Sequence, residues 1–450
     1  MIAKNGMPVL EEYAHKTGLD RLKNTNILYI NHLISDAMLV AVALKQAGAN
    51  VHTVGIPYGS IDSDERRWVI DEYQKIGPLR FPIVQNSLEF RAKMHDCVAS
   101  TLNDMSMLEG PLMIVEDGGY AFPILHGLSY REQFKKCIGA VEHTSRGMWN
   151  YKYMELDAKP RTPRLIEKPA ITIANTKLKN AHEPVFVAHG IVYELINLLK
   201  KEQEFLPFRN IAVLGNGKIG NPIANLIESM GANVHVVDPK GSTLFDKRKI
   251  QTSLTHELFQ ICSIFVGASG SPAVTQKQLI SFLAEDASSS QKFFASASSK
   301  NIEFEAVIKT FDEMTLNKRL CKKTFGSGAI VYKENIPEFG LQYTVDRGGT
   351  QRKFSVLAEG YPIIFYPCHT QGAPVRAFDP VMTQLFLAAC ALRTTHSSLE
   401  HVVHTLDDVT SHIDDTDPLK SLLDDKALLW HWCELNGLNP SAYLQQIGYE

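Results

Sequence analysis

The sequence of 450 residues has no excess of charge of one sign, no paired cysteine motif and no long apolar run. Its 46 basic and 49 acidic residues give a formal net charge of -3, which excludes the strongly basic surface typical of nucleic-acid-binding proteins. The seven cysteines are scattered without a Cys-x-x-Cys pair, so we predict no metal site and no disulfide framework. No uninterrupted apolar run is long enough to span a membrane, and the N-terminus has no signal-peptide pattern. We therefore expect a cytoplasmic protein with reduced thiols and with neither nucleic acid nor a membrane as partner.

What the sequence does contain is an alternation of short apolar runs with helical patterns. Residues Asn26–Asn31 predict a buried strand, Ser35–Ala47 an amphipathic helix and Val51–Val54 a second strand. A further strand, Pro111–Val115, runs into Glu116-Asp117-Gly118-Gly119. This β-α-β order predicts a parallel sheet in the first part of the chain.

A second α/β unit follows a proline-rich, charged connection between Asp157 and Pro169. It begins with a predicted helix, Val185–Lys201, and a strand, Asn210–Leu214, and continues to about residue 335. A return segment from Phe354 to Tyr366 leads to a long apolar helix, and a polar helical stretch starts near residue 405. A chain of this length and order is expected to form more than one domain.

A glycine-rich turn, Gly215-Asn216-Gly217-Lys218-Ile219-Gly220, lies between the strand that ends at Leu214 and a helical pattern. The first glycine permits a tight turn, the second lets the backbone approach a pyrophosphate, and the third lets the helix pack on the strand. The free N–H groups at the start of that helix favour phosphate binding. Asp238 lies 23 positions after Gly215, where its carboxylate can accept hydrogen bonds from a ribose and would repel a 2′-phosphate. The sequence therefore predicts bound NAD, held by Gly215, Gly217, Lys218, Ile219, Gly220 and Asp238.

Five segments around this turn resemble those of the S-adenosylhomocysteine hydrolase (adenosylhomocysteinase) superfamily. His32 follows the first strand, as in the family's "LHM" segment, and the segment 113–119 (MIVEDGG) is similar to "MILDDGG". The segments 142–147 (EHTSRG) and 176–179 (TKLK) are similar to "EETTTG" and "TKSK". Val345-Asp346-Arg347 and 357–360 (LAEG) are similar to "VDRY…LLAEG". The resemblance extends over most of residues 20–395.

The resemblance implies an α/β protein with two Rossmann-like domains, one of them split. The implied division is a substrate domain at 1–185, an NAD-binding domain at 186–352, a return to the substrate domain at 353–404, and a helical extension at 405–450. It also implies a homodimer or homotetramer acting on a small nucleoside- or sugar-like substrate. We further assign cofactor contacts to two loops, with residues Thr144, Ser145, Gly267, Ala268 and Ser269.

The resemblance also implies a set of catalytic residues, because the family oxidises a ribose hydroxyl with resident NAD before elimination and hydration. Lys177 matches the lysine that assists this oxidation, and Asp117 matches an aspartate near the leaving thiol. His32 is a candidate partner for acid–base chemistry, and His143 stands where the family has a ribose-binding Glu. The alternatives are a solvated Lys177, a turn-forming Asp117 and a structural His32.

Several positions depart from the family pattern. Asn180-Ala181-His182 replaces Phe-Asp-Asn, so Ala181 lacks a carboxylate that is catalytic in the family. The segments 298–303 (SSKNIE) and 367–374 (PCHTQGAP) replace "GHFDNE" and the adenine-binding "GCAMGHP", and the second has His369. The C-terminus also differs. The family ends in a Lys- and Tyr-bearing tail that reaches the NAD of a neighbouring subunit, whereas this chain ends in the segment 441–450 (SAYLQQIGYE) after an acidic stretch around Asp407 to Asp425.

These matches and departures leave three hypotheses. The first is an enzyme that uses bound NAD for oxidation-assisted elimination or hydration, or for dehydrogenation, of a nucleoside- or sugar-type substrate other than S-adenosylhomocysteine. The second is a genuine S-adenosylhomocysteine hydrolase with a rearranged site. The third is a catalytically inactive NAD-binding regulatory homologue, which Ala181 favours.

Overall fold

A computed structural model describes residues 6–58, 64–84, 87–154, 165–241, 249–285, 291–298, 302–366 and 373–449. The strands in these ranges are β1 Asn26–His32, β2 Asn50–Ile56, β3 Leu79–Arg80, β4 Leu112–Glu116, β5 Cys137–Glu142, β6 Ala170–Thr172, β7 Asn210–Leu214, β8 Asn233–Val237, β9 Ile250–Gln251, β10 Ile264–Gly267, β11 Lys292–Ser296, β12 Ala329–Ile336, β13 Gly340–Arg347, β14 Thr350–Leu357 and β15 Val403–Thr405.

The helices alternate with the strands in both halves of the chain. In order they are α1 Pro8–Thr17, α2 Ser35–Gln46, α3 Asp64–Ile76, α4 Phe90–Met105, α5 Ala121–Leu125, α6 Arg131–Lys136, α7 Ser145–Tyr153, α8 Lys177–Lys201, α9 Gly220–Ser229, α10 His256–Ile261, α11 Gln276–Glu285, α12 Glu305–Leu316, α13 Lys318–Phe325, α14 Val375–Thr395, α15 Leu406–Thr410, α16 Pro418–Leu422, α17 Asp425–Leu435 and α18 Pro440–Gln446.

The described strands form two sheets, and the α/β fold class with two Rossmann-like units is confirmed. The first sheet has the order β15-β6-β5-β4-β1-β2-β3, and every recorded pair in it is parallel. The second has the order β12-β13-β14-β11-β10-β7-β8-β9 and is parallel except for β12, β13 and β14, where the neighbouring strands pair antiparallel. In each sheet the strand order reverses direction at the first strand of the unit, which is β1 in the first sheet and β7 in the second. Such a reversal leaves a crevice at the carboxyl ends of the two strands that flank it, here β1 and β4 in the first sheet and β7 and β10 in the second.

Helix α14 forms the centre of the first unit and is buried along almost its whole length. It is the one helix in the described ranges that is long and apolar enough to cross a membrane, but 94% of its apolar window is buried inside the protein. Asp379 on this helix accepts hydrogen bonds from Val9 N and Leu10 N, both at 2.9 Å, and so caps the start of α1. Burial raises the pKa of Asp379 to about 6.

Helix α8 begins at Lys177, eight residues before the start that the sequence predicts at Val185. Thr176 caps it by accepting a hydrogen bond from Lys179 N at 3.2 Å, and the helix continues through Pro184. The buried side chains of Leu178 and His182 anchor this first part in the core, so packing outweighs the backbone hydrogen bond that a proline removes. The domain boundary expected at residue 185 falls inside this helix, and the one at 352 inside β14; the domain division stays a prediction.

Candidate functional site

Three of the predicted catalytic residues meet at the carboxyl edge of the first sheet. His32 is the last residue of β1, Asp117 follows β4, and His143 follows β5. Asp117 Oδ2 lies 3.5 Å from His32 Nε2 and 3.3 Å from His143 Nδ1. Because these strands are adjacent and parallel, their carboxyl ends bring the three side chains to the crevice where open α/β sheets bind ligands.

Asp117 is held as a carboxylate by its two histidine neighbours. Burial alone would raise its pKa, but the contacts with His143 and His32 outweigh burial and hold the pKa of Asp117 well below its usual range. An aspartate in this state accepts hydrogen bonds and fixes the ring orientation of an imidazole, but it does not supply a proton near neutral pH.

His143 differs from His32 in how tightly its ring is engaged. Within the described part of the chain, neither ring nitrogen of buried His143 has a hydrogen-bond partner, so its 3.3 Å approach to Asp117 is an electrostatic contact without hydrogen-bond alignment. Of the ring nitrogens of His32, only Nδ1 is buried without a hydrogen-bond partner among the described residues, and the ring is enclosed by aromatic side chains, its centroid 4.6 Å from that of Phe365 and 5.1 Å from that of Tyr58. His143 therefore has more hydrogen-bonding capacity left for a ligand.

Two buried glutamates, Glu116 and Glu142, accept hydrogen bonds from backbone N–H groups at this edge of the sheet. Glu116 accepts hydrogen bonds from Tyr120 N, Ala121 N and Tyr151 Oη at 2.6, 2.7 and 2.7 Å, and burial raises its pKa. Glu142 accepts from Gly118 N at 3.0 Å and from Thr144 N at 2.7 Å, and burial, together with the negative charges of Glu116 and Asp117, raises its pKa well above the usual value.

Sequence reasoning did not assign a role to either glutamate. The available signal was that each is the last residue of its strand, directly before a predicted catalytic residue. The hydrogen bonds fix the turn through Gly118 and the start of α7, and hence the placement of Asp117 and His143. Thr144 caps α7 by accepting from Gly147 N at 3.2 Å, and Ser145 is the first residue of that helix.

The glycine-rich turn follows β7 in the second sheet and has the backbone geometry that a dinucleotide requires. Gly215 has φ +123°, and a Cβ there would lie 2.7 Å from the carbonyl of Ala268. A Cβ on Gly220 would lie 2.0 Å from Gly215 O, so only glycine lets α9 start this close to the strand. A Cβ on Gly217 would meet nothing within 4 Å, which leaves open space beside the backbone where a pyrophosphate would lie.

Asp238 lies at the end of β8, where the adenosine ribose of NAD would be held. Its carboxylate accepts hydrogen bonds from Asn216 N at 2.8 Å and from Lys240 N at 2.9 Å. Each oxygen retains a lone pair, so the group remains able to accept from ribose hydroxyls. The residues of this unit therefore fit NAD.

The loop after β10 crosses the glycine-rich turn and is supported by a buried glutamate. Gly267 ends the strand, and a Cβ there would lie 2.6 Å from Glu303 Oε2. Glu303 Oε1 accepts from Ser269 N at 2.7 Å and from Gly270 N at 3.1 Å, and burial raises its pKa. The predicted contact residues Gly267, Ala268 and Ser269 thus line the second sheet's crevice; their contact with a cofactor stays a prediction.

Lys218 connects the two sheets across the cleft. From the glycine-rich turn, its Nζ donates to Asn180 Oδ1, to Asn175 Oδ1 at 3.3 Å and to Ala174 O at 3.5 Å. These acceptors lie after β6 and at the start of α8, so the carboxyl edges of the two sheets face each other. Burial lowers the pKa of Lys218, with a smaller contribution from the charge of Lys179.

Lys177 and His182 both lie on helix α8 and are not part of the His–Asp–His cluster formed by His32, Asp117 and His143. Lys177 is the first residue of α8, is exposed, and has its Nζ 4.8 Å from the ring centroid of Tyr449. His182 points into the core, where its Nε2 lies 2.6 Å from Ala377 O and its Nδ1 lies 2.7 Å from Tyr443 Oη.

Two departures noted in the sequence fall wholly or partly outside the described residues. These are residues 299–301 and residues 367–372, the latter including His369.

A hollow of about 700 Å³ lies at the opposite, amino edge of the first sheet. Its lining includes Asn26 and Asn50, whose amides already bond to each other at 2.8 Å, and Asn26 Nδ2 donates to Glu109 O at 2.6 Å. Parallel α/β sheets bind ligands at the carboxyl edge, so we locate the functional site at the His–Asp–His cluster and not at this hollow. The described residues contain no group of three side chains arranged to hold a metal ion.

The fold and the two facing edges define the class of the protein: a two-sheet α/β protein with a dinucleotide-binding unit opposite a polar cleft. No family model matches the chain. It is 23% identical over 407 residues to an adenosylhomocysteinase of Thermoplasma volcanium, covering 89% of this chain and 87% of that protein. It is 24% identical over 274 residues to the adenosylhomocysteinase of Saccharolobus solfataricus, covering 60% of each. Over most of its length the chain is therefore similar to adenosylhomocysteinases, at low sequence identity.

Solved structures with partial similarity include a 2-hydroxyacid dehydrogenase from Ketogulonicigenium vulgare, with a TM-score of 0.33 and 12% identity over 65% of this chain and 78% of that one. Another is an NAD⁺-bound 3-phosphoglycerate dehydrogenase of Entamoeba histolytica, with a TM-score of 0.35 and 9% identity over 65% of this chain and 77% of that one.

Proposed function

We propose that this protein is an NAD-dependent enzyme that oxidises a hydroxyl group of a small nucleoside- or sugar-type substrate. The observation that carries the proposal is the ionised Asp117 between His32 and His143, on the sheet edge that faces the glycine-rich turn. Oxidation by NAD needs a hydride acceptor and a base that takes the hydroxyl proton. The glycine-rich turn of the second sheet supplies the site for the hydride acceptor, and the histidine cluster of the first sheet supplies the base.

The cofactor is held by the second unit. Gly215, Gly217 and Gly220 give the backbone approach to the pyrophosphate, and Asp238 accepts from the adenosine ribose. When bound, NAD⁺ supplies the hydride acceptor. Lys218 lies on the same turn and bonds to the first unit, which favours alignment of the cofactor with the substrate.

Proton transfer is assigned to the histidine cluster. His143 is the preferred base, because its ring nitrogens are buried and have no hydrogen-bond partner within the described ranges. Asp117 orients the imidazole and stabilises the positive charge that the ring acquires on accepting the hydroxyl proton. His32 packs against Phe365 and Tyr58, and it approaches the same Asp117 oxygen, Oδ2, as His143 does. Lys177 supplies a cation at the start of α8.

The substrate is expected to differ from S-adenosylhomocysteine. His143 stands where the resemblance implies a ribose-binding carboxylate, and Ala181 stands where it implies a catalytic one. His182 does not compensate, since both of its ring nitrogens are used within the core. The proposed reaction is therefore oxidation-assisted elimination or hydration, or a dehydrogenation, of a different sugar or nucleoside.

A genuine S-adenosylhomocysteine hydrolase is the second candidate, because the curated relatives are adenosylhomocysteinases and align with 89% of this chain. A catalytically inactive, NAD-binding regulatory homologue is the third. Ala181 favours the third candidate, and the intact Asp117 cluster favours the first.

The test is single-turnover absorbance at 340 nm with the full chain loaded with NAD⁺, mixed with a panel of nucleosides and sugars. We expect a rise in absorbance with at least one compound and loss of that rise in Asp117→Asn, while a binding assay shows that the variant keeps NAD. In parallel, S-adenosylhomocysteine is added with a thiol-detecting reagent.

Thiol release at a catalytic rate would replace the first candidate with the hydrolase. If neither a rise in absorbance at 340 nm nor thiol release is seen across the panel while NAD is bound, the third candidate, the catalytically inactive homologue, is supported. An equal rise in wild type and Asp117→Asn would contradict the role of the histidine cluster.

A further inference from the structure

The C-terminal helices of this chain pack on the first turn of α8, where Lys177 lies. Asp425, the first residue of α17, accepts a hydrogen bond from Leu178 N at 3.1 Å through Oδ2, and its Oδ1 accepts from Gln384 Nε2. Gln384 in turn accepts from Thr176 Oγ1 at 2.9 Å. The start of α8 is therefore fixed by a hydrogen-bonded chain between α14 and α17.

One turn further along α8, His182 attaches the last helix. Its Nδ1 lies 2.7 Å from Tyr443 Oη on α18, and its ring centroid lies 4.7 Å from that of Trp432 on α17. His182 is fully buried, so both contacts are shielded from water. Helices α17 and α18 are thus integral to this face of the first unit.

Tyr449 completes the contact at Lys177. It follows α18, its backbone N–H donates to Leu444 O at 2.9 Å, and only 6% of the residue is exposed. The Nζ of Lys177 lies 4.8 Å from the centre of its ring, which is within the range of a cation–π interaction. The ammonium group of this exposed lysine therefore lies against a buried aromatic face.

We infer that Tyr449 is a positioning residue for Lys177, supplied by the same chain, so that this side of the cleft is completed without a neighbouring subunit. The inference rests on the proposed function for the role of Lys177 in the cleft. The contact itself is tested without turnover. Asp425 and the His182–Tyr443 pair fix the two segments that the contact joins.

The experiment measures the acetylation rate of individual lysines by peptide mass spectrometry in the full chain. Tyr449→Met removes the aromatic face while keeping most of the volume, and Tyr449→Phe keeps the face and removes the hydroxyl. We expect the rate at Lys177 to rise about two- to fivefold in Tyr449→Met and to stay at the wild-type value in Tyr449→Phe. Lys16, whose Nζ lies 5.2 Å from the ring centroid of Tyr13, is the internal control and is expected not to change.

An unchanged Lys177 rate in Tyr449→Met would overturn the inference, as would a Tyr449→Phe rate equal to that of Tyr449→Met. A dilution series that dissociates any oligomer separates the same-chain contact from one between subunits. Protection of Lys177 that persists in monomers supports the inference, and protection lost on dissociation overturns it. If NADH formation is found, we expect Tyr449→Met to slow it and Tyr449→Phe to leave its rate at the wild-type value. Failure of the proposed function would leave the acetylation result standing.

Discussion

Replacing His182 with glutamine removes a titratable ring while leaving groups that can donate to Ala377 O and accept from Tyr443 Oη. Burial lowers the pKa of His182 to about 4, from 6.5. The unfolded chain therefore binds a proton at this residue between about pH 6.5 and pH 4, whereas the folded chain does not. Folding stability contributed by His182 is present above pH 6.5 and is lost as the pH falls through this window.

The expected magnitude follows from these two values. Between pH 7 and pH 5 the linkage amounts to about 2 kcal/mol in the free energy of unfolding. Buried carboxyls whose pKa is raised to about 6, such as Asp36 and Asp425, change stability in the opposite direction over the same range. The informative quantity is therefore the difference between wild type and His182→Gln at each pH.

Denaturant unfolding followed by tryptophan fluorescence provides the measurement, because Trp432 lies against His182 and reports on this contact. We expect His182→Gln to be less stable than wild type at pH 7, since it loses aromatic contacts, and to lose less stability on going to pH 5. If wild type and His182→Gln lose the same free energy between pH 7 and pH 5, the assignment of His182 as a buried neutral anchor is wrong.

Three further outcomes are expected. Asp117→Asn lowers the rate of NADH formation by about 10²–10⁴-fold with NAD affinity retained, measured by stopped-flow absorbance and a binding titration; an unaffected rate would contradict its role beside the histidines. Gly217→Ala keeps the wild-type melting temperature but weakens NAD binding, whereas Gly220→Ala, whose Cβ would meet Gly215 O, lowers the melting temperature as well; equal melting temperatures for the two variants would refute this. Asp379→Asn lowers the free energy of unfolding by about 1–3 kcal/mol at pH 5, and the deficit shrinks towards pH 8 because the pKa of Asp379 is raised to about 6; a deficit independent of pH would count against that raised pKa.

The parallel elements could be predicted from the sequence because their signals are local. The strand at Asn26, the helix at Ser35 and the glycine-rich turn after Leu214 each occur where periodicity and turn residues indicate, with ends shifted by a residue or two. The meeting of His32, Asp117 and His143 also follows from local patterns, since residues after adjacent parallel strands share one edge.

Other features depend on contacts between distant parts of the chain and carry no local signal. Strand β15 pairs with β6 across more than 200 residues of sequence, and its three residues resemble a loop. The role of His182 is set by Tyr443 and Ala377, and nothing in the sequence near residue 182 identifies those partners. Helix α8 begins eight residues before the predicted start, although a proline such as Pro184 is typical of the first turn of a helix.

Helix α14 and strand β15 have a consequence for how the chain is made. Both belong to the first unit, yet both are synthesised after the whole second sheet. A nascent chain that ends before residue 375 lacks the helix that covers one face of the first sheet, so apolar residues of that sheet stay exposed to water. The second unit, whose strands are contiguous in the chain from β7 to β14, can fold first. During translation the N-terminal segment therefore leaves the ribosome first but can complete its apolar core only after the second unit has been synthesised.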